Sequence, residues 1–155
     1  MRDDAIRNLQ RLMNETLPYF SAPREQLDRA YAPGKWTLRE VLVHLSDSET
    51  VILDRLRRAA AEPAPHFDAF DQDRWAELLQ YKTRDLSVAR AQFEAARRSI
   101  IELASTMPLE VDARTGVHSE TGTRSFAQLL AAVQTHNAHH LAQAKACAEG
   151  RTWTK

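Results

Sequence analysis

The sequence has few of the features that mark secreted, membrane-spanning or β-rich proteins. It contains one cysteine, Cys147, so an intrachain disulfide is excluded and a reducing compartment is expected. Only four glycines occur in 155 residues, and β-branched runs are scarce, which disfavours a sheet-rich fold. No apolar run approaches the roughly 20 residues of a membrane-spanning helix, and the charged N-terminus lacks the apolar segment of a signal peptide. We therefore expect a soluble, cytoplasmic protein without a membrane partner.

The chain also lacks an excess of charge of either sign. Lysine plus arginine and aspartate plus glutamate each number 21, which gives a formal net charge of zero. This balance provides no electrostatic reason to expect nucleic acid as a partner. A chain of this length is expected to form one domain over residues 1–155 and to bury roughly 70% of its unfolded surface in one core.

Apolar residues recur at helical spacing in four long segments. The pattern predicts helices over Asp4 to about Tyr19, Thr37 to just before Pro63, Asp85 to Thr106, and Thr123 or Ser125 to Glu149. The sequence Thr37-Leu38-Arg39-Glu40 is typical of a capping box, and Gly150 of a C-terminal cap. A short helix is predicted around Trp75 to Tyr81, and the stretches 63–73 and 107–122 are expected to be loops. The predicted fold is all-α, a four-helix bundle with long connecting loops.

Three histidines are the strongest functional feature. His136 and His140 lie four residues apart, which stacks their imidazoles on the same side of one helix. On a helical wheel both fall within about 80° of the buried stripe, and His44 flanks the stripe of another helix. Three imidazoles from two facing helices can bind one metal ion and leave an open position for water or substrate. The sequence therefore predicts a metal site formed by His44, His136 and His140.

Two alternatives bear on this prediction. Inward-facing histidines can satisfy each other or the backbone by hydrogen bonds, without any metal. Zinc peptidases also carry two histidines four residues apart, but a glutamate follows the first and serves as general base. Here that position is Asn137, which argues against a peptidase of that type.

Three further residues are candidates for contacts around the metal ligands. Asp47, one turn after His44, and Gln143, close to His136 in helical angle, could orient imidazoles from outside the ligand set. His118, in the second long connector, could reach the mouth of the site. Each also has a plain structural explanation: a solvated helix face, an ordinary polar residue and an exposed loop histidine. No second catalytic group is apparent beyond the metal site.

These motifs, taken together, resemble the DinB-like (DinB/YfiT-like) superfamily. The first signature is similar to Pro33-Gly34-Lys35-Trp36-Thr37-Leu38-Arg39-Glu40 followed by Val41-Leu42-Val43-His44-Leu45-Ser46-Asp47-Ser48-Glu49. The second is similar to Gly116-Val117-His118-Ser119-Glu120-Thr121-Gly122, Ser125-Phe126-Ala127-Gln128-Leu129-Leu130 and His136-Asn137-Ala138-His139-His140-Leu141-Ala142-Gln143. The region between the two signatures is also similar to the superfamily, at the positions of Asp71, Trp75, Tyr81 and Arg97.

The resemblance implies a four-helix bundle that binds a divalent metal, zinc or nickel, through His44, His136 and His140. It also implies a homodimer and a small-molecule substrate. Characterised relatives include S-transferases and isomerases that use low-molecular-weight thiols such as bacillithiol or mycothiol.

Two functions of different classes follow. In the first, the protein is a metal-dependent enzyme that activates a low-molecular-weight thiol, as an S-transferase does, or water, as a hydrolase does. In the second, it is a non-catalytic stress-response protein that binds a metal or a small ligand. The sequence names neither the substrate nor the native metal, since zinc and nickel both accept imidazole ligands.

Overall fold

Four long helices form the body of the protein in the computed structural model, which describes residues 2–154. They are α1 (Arg2–Thr16), α3 (Leu38–Ala61), α5 (Leu86–Thr106) and α6 (Phe126–Glu149), and the shorter helices are α2 (Arg24–Leu27) and α4 (Gln72–Leu78). The prediction of a helical bundle with long connections is confirmed. Within residues 2–154, no helix is both long enough and apolar enough to cross a bilayer.

The capping residues begin and end the helices largely where the sequence predicts. Thr37 accepts a hydrogen bond from the backbone of Glu40, whose carboxylate accepts one in return, so α3 starts with a capping box. Ser125 and Gln128 form the same arrangement at the start of α6. Gly150 ends α6 in the left-handed conformation, with φ of 66°.

Two predicted helix boundaries were wrong. α1 ends at Thr16, and residues Leu17–Ser21 continue as a 3₁₀ turn. The cause is Pro18, which has no amide hydrogen to donate to an α-helical ladder. The short helix predicted at 75–81 instead spans Gln72–Leu78, because the side chain of Asp71 caps its N-terminus. It stops before Gln80, which has a positive φ of 52°.

The two connectors predicted as loops contain a small sheet. β1 (His66–Phe67) pairs in parallel with β2 (Thr115–His118), which pairs antiparallel with β3 (Gly122–Ser125). Strands of two and four residues are too short to show an alternating pattern, so their sequences gave no indication of strand structure. The sheet fixes where α6 begins, because Ser125 is both the last residue of β3 and the N-cap of α6.

The core consists of two apolar clusters with buried polar residues between them. In α3, Leu45 belongs to one cluster and Leu53 to the other. In α6, Val133 and Ala144 likewise lie in different clusters. The intervening residues, which we call the polar layer, are all buried: His44, Ser46, Asp47, Ser48, Glu49, Arg97, Asn137, His140 and Gln143.

The sheet depends on Gly116 because the ring of Phe67 lies against its backbone. A Cβ atom at position 116 would lie 2.3 Å from Phe67 Cζ and 2.8 Å from the carbonyl oxygen of Pro65. We expect Gly116→Ala to lower the free energy of unfolding by about 1–3 kcal/mol through overpacking. The measurement is urea denaturation in a double-mutant cycle with Phe67→Leu. An equal cost of Gly116→Ala in both backgrounds would contradict this explanation.

Candidate metal centre

The structure brings together the three histidines that the sequence singles out. His44 comes from α3, and His136 and His140 from adjacent turns of α6. One nitrogen of each imidazole lies within 4.8 Å of one nitrogen of each of the others. Nε2 of His44 and Nε2 of His136 are 3.1 Å apart. The facing helices therefore present a convergent set of three nitrogen donors.

This donor set fits a divalent metal ion in both spacing and protonation. Two imidazole nitrogens bound to one tetrahedral zinc ion lie roughly 3.3 Å apart, close to the distance between His44 and His136. Burial is the main cause that lowers the pKa of His44 to about 2, of His136 to about 4 and of His140 to about 3. All three imidazoles are therefore neutral at pH 7, and neutral imidazole is the form that binds metals.

Two polar side chains touch the imidazoles and bear on their orientation. Oε1 of Gln143 lies 2.6 Å from Nδ1 of His140. Since an amide oxygen only accepts, Nδ1 carries the proton and Nε2 keeps its lone pair for the site. The hydroxyl of Ser48 lies 3.2 Å from Nε2 of His44. Ser48 was not predicted as a site residue, although its position one helical turn after His44 could have indicated it.

Asp47 and His118 form hydrogen bonds with groups other than the three imidazoles, unlike Gln143. The carboxylate of Asp47 accepts hydrogen bonds from the hydroxyl of Tyr81 at 2.8 Å and from the amide of Gln92 at 3.1 Å. Burial and this bond to Asp47 raise the pKa of Tyr81, so its hydroxyl stays a donor. His118 lies in β2, where its Nδ1 accepts from the backbone of Glu120 at 3.2 Å. Neither residue belongs to the convergent donor group among residues 2–154.

Aromatic side chains form one wall of the site. The ring of Trp36 lies 4.9 Å from that of His44 and 6.5 Å from that of His140, centre to centre. Phe70 lies 6.4 Å from His44 and packs on Trp75 at 4.5 Å. In the sequence, Trp36 stands out only as part of the first signature, directly before the capping box. Phe70 was missed because it lies in a connector where no helical period can indicate its direction.

A cavity of about 390 Å³ opens beside His140. Its lining is mostly polar, and His140 and Gln143 belong to it. The other lining residues are Tyr31, Gly34, Lys35, Trp36, Gln72, Asp73 and His139. A second cavity of about 400 Å³ shares Trp36 and Asp73 with it. The histidine cluster thus adjoins space that is large enough for a small, hydrophilic molecule.

Residues 4–144 match the sequence profile of the DinB superfamily. The chain belongs to this superfamily. The match spans most of the chain and includes all three histidines, so the expected family membership is confirmed.

Relatives of this DinB superfamily protein include bacterial proteins named for metal-dependent hydrolysis. One from Oceanobacillus iheyensis, named as a putative metal-dependent hydrolase, is 31% identical over 96% of this chain and 84% of its own length. A protein of the same name from Bacillus cereus is 29% identical over 99% of this chain and 88% of its own.

Solved structures with the same fold include YfiT from Bacillus subtilis. YfiT is described as a probable metal-dependent hydrolase with an unusual four-helix bundle topology; it superposes with a TM-score of 0.88 at 25% identity. That match covers 97% of this chain and 89% of YfiT. A mycothiol-dependent maleylpyruvate isomerase superposes with a TM-score of 0.74 at 10% identity, over 92% of this chain and 60% of the isomerase. This second likeness shows a shared fold alone.

The buried imidazoles should make the metal-free protein sensitive to acid. The unfolded chain takes up protons near pH 6.5, whereas folded His136 does so only near pH 4. Stability is therefore fully present above pH 6.5 and is lost as the pH falls from 6.5 towards 4, by at most about 1.4 kcal/mol per pH unit for each such histidine. Urea denaturation with a chelator at pH 7, 6 and 5 measures this loss. We expect a smaller loss in His136→Asn than in wild type or in the exposed-site control His66→Asn, and equal losses would contradict the expectation.

The single thiol is expected to be unreactive in the native protein. Cys147 is fully buried, and burial raises the pKa of its thiol to about 11. Iodoacetamide should therefore modify native protein at pH 8 roughly a hundredfold more slowly than protein unfolded in urea. Mass spectrometry of timed samples gives both rates. Similar rates would show instead that Cys147 is accessible to solvent and available for chemistry.

Proposed function

We propose that the protein is a divalent-metal-dependent enzyme and that His44, His136 and His140 are its metal ligands. The observation that carries the proposal is the convergence of three neutral imidazoles, two buried and one half-buried, beside a polar cavity. Three protein ligands leave a coordination position open, as in catalytic rather than structural sites. When bound, a divalent ion lowers the pKa of a coordinated water or thiol and so supplies a nucleophile at neutral pH.

The reaction that we favour is hydrolysis of a small substrate. The names of the relatives from Oceanobacillus iheyensis and Bacillus cereus support this choice. In this reaction Gln143 keeps the proton of His140 on Nδ1 and thereby directs Nε2 to the ion. Trp36 and Phe70 exclude bulk water from one side of the imidazoles. The polar cavity beside His140 receives the substrate.

Transfer of a low-molecular-weight thiol is the second candidate. The resemblance to thiol-using members of the superfamily suggests it, and the size of the cavity supports it. The cavity of about 390 Å³ has room for a small thiol, and its mostly polar lining suits a hydrophilic one. Cys147 cannot supply this thiol itself, because it is fully buried.

The first test is the metal content of protein purified without an affinity tag. We expect about one equivalent of zinc or nickel per chain in wild type and loss of the metal in His140→Ala. His118→Ala should retain the metal, since Nδ1 of His118 is engaged by the β2–β3 turn. Elemental analysis by mass spectrometry gives the ratios. Absence of metal in wild type after incubation with zinc or nickel would refute the proposed site, and its loss in His118→Ala would indicate a fourth ligand.

The second test separates the two reactions in metal-loaded protein. Hydrolysis of p-nitrophenyl acetate reports on water, and conjugation of cysteine to monobromobimane reports on thiol transfer. Relative to metal-loaded wild type, we expect hydrolysis to fall by about a hundredfold in His140→Ala, which is expected to lose the metal, and by about tenfold in Gln143→Ala, in which His140 loses its orienting partner. Conjugation without hydrolysis would favour the thiol reaction. Neither activity in a protein that holds the metal would favour the non-catalytic alternative.

A further inference from the structure

A buried ion pair joins α3 and α5 at the level of the histidines. Arg97 is fully buried, with a relative accessibility of 0%, and Glu49 is 2% exposed. Nε and Nη2 of Arg97 each donate to one carboxylate oxygen of Glu49, both at 2.8 Å. Such a bidentate pair has a fixed geometry in the plane of both groups.

The same guanidinium reaches the other two long helices. Its Nη2 donates to Oδ1 of Asn137 in α6 at 3.0 Å, and its Nη1 donates to the carbonyl of Leu9 in α1 at 3.2 Å. The amide of Asn137 in turn donates to the hydroxyl of Thr16 in α1 at 3.2 Å. One network therefore touches all four long helices, and we call Arg97, Glu49 and Asn137 the Arg97 clamp.

The clamp adjoins the metal ligands in sequence on both helices that supply them. Asn137 directly follows His136, and Glu49 directly follows Ser48, whose hydroxyl lies against His44. The imidazoles of His44 and His136 must meet across α3 and α6 within about 3 Å to share an ion. A slip of one helix past the other by a fraction of a turn would separate them.

Apolar packing alone does not fix such a register strongly. Leucine and alanine side chains can repack after a small shift, whereas a buried charge that loses its partner is left desolvated and unpaired. The ring centre of Phe93 lies 5.2 Å from the guanidinium carbon of Arg97, within the range of a cation–π contact. The clamp therefore penalises every register except the one in which both charges are paired.

We infer that the Arg97 clamp sets the register of α3 against α6 and so positions His44 and His136 to bind one metal ion. Its residues are positioning residues: Asn137 adjoins His136 in sequence, and no clamp residue belongs to the convergent donor set among the described residues. The inference rests on the proposed function, because it takes these histidines as ligands. This role explains why a buried ion pair, which is costly to desolvate, lies next to the histidines.

The test replaces both charges with apolar groups of similar size, in Glu49→Leu with Arg97→Met. This exchange leaves no unpaired charge, so the bundle is expected to fold with a denaturation midpoint close to that of wild type. Zinc affinity, measured by competition with a chelating dye, should nevertheless fall at least about tenfold. The visible absorption of the cobalt-substituted protein should lose its wild-type band shape, because the ligands no longer hold one geometry.

The matched control is the ion pair between Lys145 in α6 and Glu15 in α1. It also joins two helices, at 3.1 Å, but both side chains are more than a third exposed. Glu15→Leu with Lys145→Met should leave zinc affinity and the cobalt spectrum unchanged. A fall in affinity equal to that of the clamp variant would overturn the inference, because any lost ion pair would then have the same effect.

The outcomes separate this inference from the proposed function. Failure of wild type to bind zinc or cobalt would overturn both. Wild-type affinity and spectrum in the folded Glu49→Leu, Arg97→Met variant would overturn the clamp alone. If that variant does not fold, zinc affinity is measured in Arg97→Lys instead. Lysine keeps the positive charge but cannot make the bidentate contact with Glu49. Reduced zinc affinity in Arg97→Lys supports the clamp, and unchanged affinity overturns it.

Discussion

The structure depends on one constraint: a charged guanidinium and a charged carboxylate lie in the centre of the bundle, where water cannot solvate them. Arg97 and Glu49 are almost wholly buried, and each is the other's main partner. Removing ions from water is costly, so the pair is tolerated only with near-ideal geometry and with further hydrogen bonds for the remaining donors. Asn137 and the carbonyl of Leu9 provide those bonds. The four long helices are thereby held in one arrangement.

The histidine cluster benefits from the same arrangement. His44 and His140 are buried and His136 is half-buried, and the rings of Trp36 and Phe70 lie beside His44. Burial lowers the pKa of each imidazole, so the donor set is neutral before any cation arrives. Three protonated imidazoles at this separation would repel one another and a metal ion. The burial that makes the site costly to build therefore also keeps its nitrogen donors neutral.

The parts of the site that could be predicted from the sequence are those set by local geometry. His136 and His140 are related by one helical turn, and a wheel is sufficient to place both near the core. His44 could be predicted because a capping box fixes where its helix begins and hence which residues face inward. The capped start of α3 was predicted from its capping box, whereas the start of α6 was predicted only as Thr123 or Ser125.

What could not be predicted depends on contacts between distant segments. Phe70 lies in a connector whose path is set by the pairing of β1 with β2. The bond between Asp47 and Tyr81 joins residues 34 positions apart, so neither residue alone indicates that the carboxylate is engaged by this hydroxyl. The burial of Arg97 and Glu49 could not be predicted either. A charged residue on a helix is ordinarily assigned to a solvated face, and only the structure shows that these two lie opposite each other.

The residue after His136 shows how the bundle limits the chemistry available to the site. In zinc peptidases with the same histidine spacing, a glutamate at this position serves as general base. Here Asn137 is fully buried and bonded to Arg97 and Thr16, so position 137 faces the core rather than the cavity. A glutamate at 137 would compete with Glu49 for the same guanidinium instead of reaching a substrate. The nearby carboxylates of Asp47 and Glu49 are held by donors from α5 and from Tyr81. Under the proposed function, no base of the peptidase type stands at position 137, so activation of a nucleophile would rest first on coordination by the three imidazoles.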